Sequence, residues 1–260
     1  MKTRNVLKKY LEKREAKITA LLDKPNQKFT QDDFHDLRVE IKKTRSLAAM
    51  LEATVKNFNA KKILKPLEKI FSQAGKVREL QLEEAMLHKH DPRRHLKTYE
   101  KNLSLMEENE KKDYSVVHQK VQNKVGKTFN DIYDAIKKTN KKAADKYVSK
   151  EKKELVSLVR PRALKIAKVH ELRKGLKTFN YNTKSLRDNN TVFKNADALQ
   201  DIMGKWHDHR VMNKHLLKAA DNHMIASSEK EPILRIADRL YLKSQELYRQ
   251  INDEKQKAII

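Results

Sequence analysis

The sequence predicts an all-α protein built from two related helical halves. Three observations carry that prediction. Helix breakers are scarce, with 4 Gly and 5 Pro in 260 residues, which favours long helices with few interruptions. Apolar residues recur at helical rather than strand spacing along nearly the whole chain. A basic helical motif also occurs twice, about half a chain length apart. It reads H-x-L-R-x-x-I-K at His35, Leu37, Arg38, Ile41 and Lys42, and H-x-L-R-x-x-L-K at His170, Leu172, Arg173, Leu176 and Lys177.

The first helix is expected from about residue 3 to Asp23, where Val6, Leu7, Tyr10, Leu11, Ile18, Leu21 and Leu22 have amphipathic spacing, and it stops before Pro25. A second starts after Thr30, whose spacing to Asp33 is that of a capping box, and runs to about Phe58. A third spans the sixties to the late eighties and is closed by Asp91-Pro92. A fourth extends from there towards Lys112. The Lys-rich, weakly apolar stretch 137–153 reads as a lapse in helical order or as a helix extending into solvent. Arg160-Pro161 opens the helix of the second motif. Helices near 191–224 and 232–256 follow, separated by Ser227-Ser228 and Pro232. No segment shows strand periodicity.

A second, weaker pairing supports duplication. Gly75-Lys76-Val77-Arg78-Glu79 is similar to Gly204-Lys205-Trp206-His207-Asp208, and each follows its motif by one helix. Two features in the same order favour two structural halves. The expected arrangement is two antiparallel helical bundles, 1–112 and 113–260, related by approximate twofold symmetry.

Composition bounds the partners. Hydrophobic residues make up 38% and charged residues 36%, a balance near that of disordered chains. The sustained helical periodicity decides for a folded one. The formal charge of +24 concentrates anions at the surface and calls for an anionic partner such as nucleic acid, an acidic membrane surface or an inorganic polyanion. With 0 Cys, disulfide frameworks and thiolate chemistry are excluded. The opening Met1-Lys2-Thr3-Arg4 leads into an amphipathic pattern rather than a signal-peptide apolar run, and no stretch approaches a membrane span. The expected location is the cytoplasm, with no membrane partner.

At about 100° per residue, each motif helix sorts into two bands. Leu37, Ile41, Thr44, Ala48, Leu51 and Val55 form a core stripe in the first. Leu172, Leu176, Phe179, Thr183 and Leu186 do so in the second. Beside the first stripe lie His35, Arg38, Lys42 and Arg45, while the helix's own acids, Asp36 and Glu40, point elsewhere. Beside the second lie His170, Arg173, Lys177 and Asn180, extended by Arg162 and Lys184. A solvated face normally mixes both signs, because like charges at i,i+4 repel. A row of cations set next to the core instead suits an anion in the gap. Each row spans roughly 15 Å. Arg offers a flat fork for phosphate oxygens, Lys a mobile point charge, and His a donor whose charge rises as an anion approaches.

At these residues the chain resembles the CHAD family, the conserved histidine α-helical domains. The resemblance covers nearly the whole chain. It rests on Phe34 to Arg45, Val169 to Tyr181, Gly75 to Leu80 and Leu199 to Asp208. It implies two four-helix bundles with internal pseudo-twofold symmetry around a basic central pore, and binding of inorganic polyphosphate with association to polyphosphate granules. By motif position the phosphate-contacting set is His35, Arg38, Lys42, Arg45, Arg78, His170, Arg173 and Lys177. The chain departs from the family pattern at Glu79, where Asp is usual, at Asn180, where a base is usual, and at His207, where Asn is usual.

Other chemistries are less well supported. His35 and Asp36 diverge on a helix, so they form no His-Asp pair. No Gly-rich phosphate loop or nucleophile elbow occurs, and the protein is expected to be non-enzymatic, without a cofactor. The pairs His88/His90 and His207/His209 diverge likewise, and no metal-binding helix motif is present. Bulk charge makes weak nucleic-acid association expected, and RNA binding is the alternative function. Aromatics are only 6%, however, and Trp206 reads as core.

Overall fold

The computed structural model describes residues 2–25, 28–186, 196–222 and 224–257. Among these residues there is no strand. The helices are α1 (Lys2–Leu22), α2 (Gln31–Thr54), α3 (Ala60–Ile63), α4 (Lys65–His90), α5 (Lys97–Lys138), α6 (Lys141–Val159), α7 (Ile166–Leu186), α8 (Ala196–Asp221) and α9 (Lys230–Lys257). A 3₁₀ turn, Ser227–Glu229, precedes α9.

Local chemistry sets most boundaries. Thr30 caps α2 through the expected box: its hydroxyl accepts from the Asp33 amide at 3.3 Å, and the Asp33 carboxylate accepts from the Thr30 amide at 2.6 Å. The helix ends at Thr54 rather than Phe58, because Val55 is extended and Asn57 takes a left-handed φ of 63°, a conformation Asn tolerates better than most residues. Asp91 closes the loop after α4 by accepting from the Leu96 amide at 2.9 Å.

Three expectations are corrected. The helix expected to stop near Lys112 continues to Lys138 as a single 42-residue α5, because nothing in that stretch breaks it. The expected lapse over 137–153 shrinks to Thr139-Asn140, where the Asn140 side chain accepts from the Ala143 amide and caps α6. The buried residues Ala144, Val148, Leu155 and Val159 give α6 a core face, with its lysines on the other side. Arg160-Pro161 closes α6 rather than opening α7, which begins at Ile166. The buried Lys255 ammonium binds the carbonyls of Val159, Pro161 and Arg162 there, satisfying acceptors that a helix end leaves open. The start of α8 expected near 191 lies outside the described residues.

The chain divides into two compact units. Unit 1 comprises Met1–Arg78, Glu110–Leu155 and Gly175–Thr191, and unit 2 comprises Glu79–Asn109, Val156–Lys174 and Val192–Ile260. Each unit interleaves three segments, whereas the halves read from the motifs are consecutive. In unit 1, Leu7, Leu11 and Ile18 of α1 meet Leu37, Ile41 and Leu51 of α2, with Ile70 and Val77 of α4 and Phe129 of α5 in the same core. In unit 2, Leu80, Leu87 and Tyr99 join Met212 and Leu216 of α8 and Ile233 and Leu240 of α9. The buried Glu229 accepts from the Thr98 amide at 2.6 Å and the Tyr99 amide at 3.2 Å, placing an anion at the positive start of α5.

Candidate anion-binding site

Both motif helices orient as their periodicity requires. Leu37, Ile41, Thr44, Ala48 and Leu51 are fully buried, as are Leu172 and Leu176, with Phe179 and Thr183 nearly so. Burying those stripes fixes the rotation of each helix and therefore the direction of the cations beside them.

In unit 1 the first row gathers around one aromatic ring. The Arg38 guanidinium donates to the Phe71 carbonyl at 2.8 Å and lies 4.3 Å from the Phe71 ring centroid. Arg45 lies 4.8 Å and the Lys42 ammonium 5.8 Å from the same centroid. Three cations spaced i, i+4 and i+7 on α2 thus share one ring of α4, each attracted by its negative face. Arg45 Nε is also 2.8 Å from the Glu68 carboxylate. The row has no acid of its own, yet α4 brings one to its far end. Glu40 does turn away: it is buried on α1, 2.7 Å from Arg14 Nε, with Lys43 at 2.7 Å.

Gly75 explains how closely α4 can approach. A Cβ at that position would overlap the Arg38 guanidinium. Its counterpart Gly204 has nothing within 4 Å of a built Cβ. The glycine therefore leaves room for the Arg38 guanidinium in the first copy, while in the second it makes room for no neighbour.

Desolvation and neighbouring cations act on both motif histidines. His35 is exposed, and partial desolvation, then the Arg78 charge and more weakly Lys42, hold its pKa below the usual value against Asp36 and Asp32. His170 is half-buried, its ring 4.9 Å from Trp206 and 5.1 Å from His207. Desolvation, then Arg210, Arg173 and Lys174, depress its pKa as well. In each copy the histidine thus neighbours the residue three positions after the motif glycine, Arg78 or His207.

The remaining residues divide along α7. Arg173 is half-buried in unit 2, and its Nε is buried with no hydrogen-bond partner among the described residues. Lys177 is half-buried and Lys184 exposed, both in unit 1. Arg162 does not extend the helical row, since α7 has not begun there. It lines a separate cavity of about 590 Å³ with Arg160, Asn252 and Asp253. Within unit 1 the two motif helices meet directly. The Ser46 hydroxyl lies 3.0 Å from the Thr178 carbonyl and 2.8 Å from Asn182 Oδ1, and Asn182 donates to Glu151 at 3.0 Å.

Sequence reasoning missed Phe71, Arg210 and the Ser46–Asn182 link. Phe71 stands one helical turn before Gly75 and Arg210 one turn after Trp206, so only their spacing to the repeated segment hinted at a role. It also missed a cluster across α4 and α5. Glu84, His88 and Glu100 bring potential ligand atoms within 4.8 Å of one another. Glu100 is already engaged there by His88 at 2.5 Å and by Arg94, so it ties down the loop between the two helices. Trp206 is buried as expected, 1% exposed.

Fold and motifs together define a strongly basic, all-helical protein with a duplicated His-Arg-Lys helix motif. The chain matches the CHAD domain family over residues 5–217 and belongs to that family. Comparison with curated proteins gave no match. Among the described residues, no helix is long and apolar enough to cross a membrane.

Proposed function

We propose that this chain binds inorganic polyphosphate through the cations of its two motif helices, without acting on it chemically, and that binding localises it to polyphosphate granules in the cytoplasm. The observation that carries the reading is the gathering of Arg38, Lys42 and Arg45 around Phe71 on the helix the motif marks. The direct link between α2 and α7 within unit 1 supports use of Lys177 and Lys184 together with the first row, and neighbouring cations act with desolvation to depress the pKa of both His35 and His170. The pseudo-twofold bundles and the basic pore implied by the family belong to this proposal.

Competition tests it. Long-chain polyphosphate displaces labelled single-stranded RNA from the protein at physiological salt, and RNA displaces labelled polyphosphate only at far higher phosphate equivalents. The reverse order would favour RNA as the ligand.

Affinity for polyphosphate rises as pH falls from 8 to 6. Both motif histidines have depressed pKa values and are mostly neutral in the free protein near pH 7. A bound anion favours their charged form, so the complex takes up protons and lower pH promotes binding, by at most about tenfold per pH unit for each histidine. Replacing both by Gln flattens the profile. The free protein shows the opposite sign: its unfolded state binds more protons, so these two groups cost it stability as pH drops below about 6.5. Calorimetric titrations across pH check both statements, and an unchanged slope in the double Gln variant would refute the assignment.

A further inference from the structure

We propose that unit 2 carries a proton-operated latch: the charged imidazole of His215 on α8 holds the buried carboxylate of Glu83 on α4, and losing its proton loosens α8 from α4 and α5. His215 Nδ1 donates to one Glu83 oxygen at 2.5 Å. The other oxygen accepts from the hydroxyl of Tyr99 on α5. All three residues belong to unit 2, so one carboxylate ties three helices of that unit together.

The setting makes the charge on His215 matter. The Glu83 side chain is 6% exposed and that of His215 36%, while Tyr99 is buried. A carboxylate so far from water needs a paired cation, and among the described residues His215 alone pairs with Glu83. The Tyr99 hydroxyl supplies a hydrogen bond but no charge. Burial, then the Glu83 charge, pushes its pKa up, so it stays a donor. Three charges act on His215 itself: Glu83 and the exposed Glu79 on α4, and Lys214 beside it on α8. The hydrogen bond to Glu83 is the largest influence. With the charges of Glu83 and Glu79 it outweighs burial and Lys214, and raises the pKa of His215 above the usual 6.5.

A group whose pKa rises on folding contributes stability that is fully present below its unfolded value, about 6.5, and is lost as pH climbs through the folded value. The neutral ring still donates a hydrogen bond, but the buried carboxylate then has no counter-charge. The contact is therefore firm in mild acid and weak in mild alkali. This sign is opposite to that of the motif histidines, whose pKa values are depressed. Glu83, Tyr99 and His215 lie outside the motif rows, so the latch stands or falls separately from the polyphosphate reading.

Two measurements on the full chain test it. In the first, the ring protons of His215, identified by their loss in His215→Gln, are titrated by NMR. They change with a midpoint above pH 6.5, and Glu83→Gln lowers that midpoint. In the second, amide hydrogen exchange is followed at pH 6 and pH 8.5 and corrected for intrinsic rates. His215→Gln increases the opening of residues 79–90 of α4 and of α8 several-fold at pH 6 and much less at pH 8.5, and leaves α2 of unit 1 unchanged. Comparing variant with wild type at each pH cancels the other titrating groups. A midpoint at or below 6.5, an equal effect of His215→Gln at both pH values, or the same increase in α2 overturns the proposal. If Glu83→Gln does not fold, the wild-type midpoint and the His215→Gln exchange still decide.

Discussion

Arg38→Glu combined with Arg173→Glu lowers polyphosphate affinity by about two orders of magnitude or more while helical content is retained. Each arginine supplies charge-assisted hydrogen bonds contributing about 1.5–3 kcal/mol, and tenfold in affinity corresponds to about 1.4 kcal/mol. Reversal adds repulsion to that loss. Both side chains are half-buried beside a core stripe, not in it, so the apolar faces of α2 and α7 stay intact. Gly75→Ala is the subtler companion. It pushes the Arg38 guanidinium off Phe71 while raising the helix propensity of α4 by up to about 1 kcal/mol. Binding should therefore weaken with no loss of thermal stability. The control reverses Lys141 and Lys142, exposed residues on α6. Affinity falling as far in that control as in the arginine pair, measured by titration at physiological salt, would place binding in the bulk charge.

Arg14→Ala destabilises the protein by about 3–5 kcal/mol, the largest stability effect expected from a single polar substitution here. Arg14 and Glu40 are paired at 2.7 Å with side-chain exposures of only 8% and 5%, and the Arg14 guanidinium also lies 4.8 Å over the Tyr10 ring. Removing the arginine strands a buried carboxylate. Lys43 at 2.7 Å and Lys17 at 3.8 Å compensate in part. A matched apolar replacement, Arg14→Met with Glu40→Leu, recovers most of the loss, because neither side chain then carries a buried charge. Urea unfolding followed by circular dichroism measures the cycle. Strictly additive single effects would show that the pair is not coupled. The same pair matters for binding, since it draws Glu40 to α1 and away from the cation row on α2.

Much of this was legible in the residues. The stripes through Leu37, Ile41 and Leu51 and through Leu172 and Leu176 predicted which faces are buried, because a 3.6-residue period leaves one orientation that hides them from water. The Thr30 box was legible because capping is chemistry between residues three apart. The length of α5 was not, since the fall in apolar content near Lys112 resembled an ending, and helical order there rests on packing of Tyr114, Val121 and Val125 against distant helices. Low hydrophobicity over 137–153 misled in the same way.

The sequence by itself determined the helical class, the rotation of α2 and α7, and the identity of the repeated cations, since these follow from periodicity and local spacing along one chain, while the family was legible through the resemblance of its motif segments. Only the tertiary structure decided which partners those cations meet. Phe71 gathers three of them, Glu68 approaches Arg45, Arg14 removes Glu40, and Arg162 falls outside its helix. These contacts join residues remote in sequence, and their energies depend on distances of a few ångströms that no one-dimensional pattern encodes.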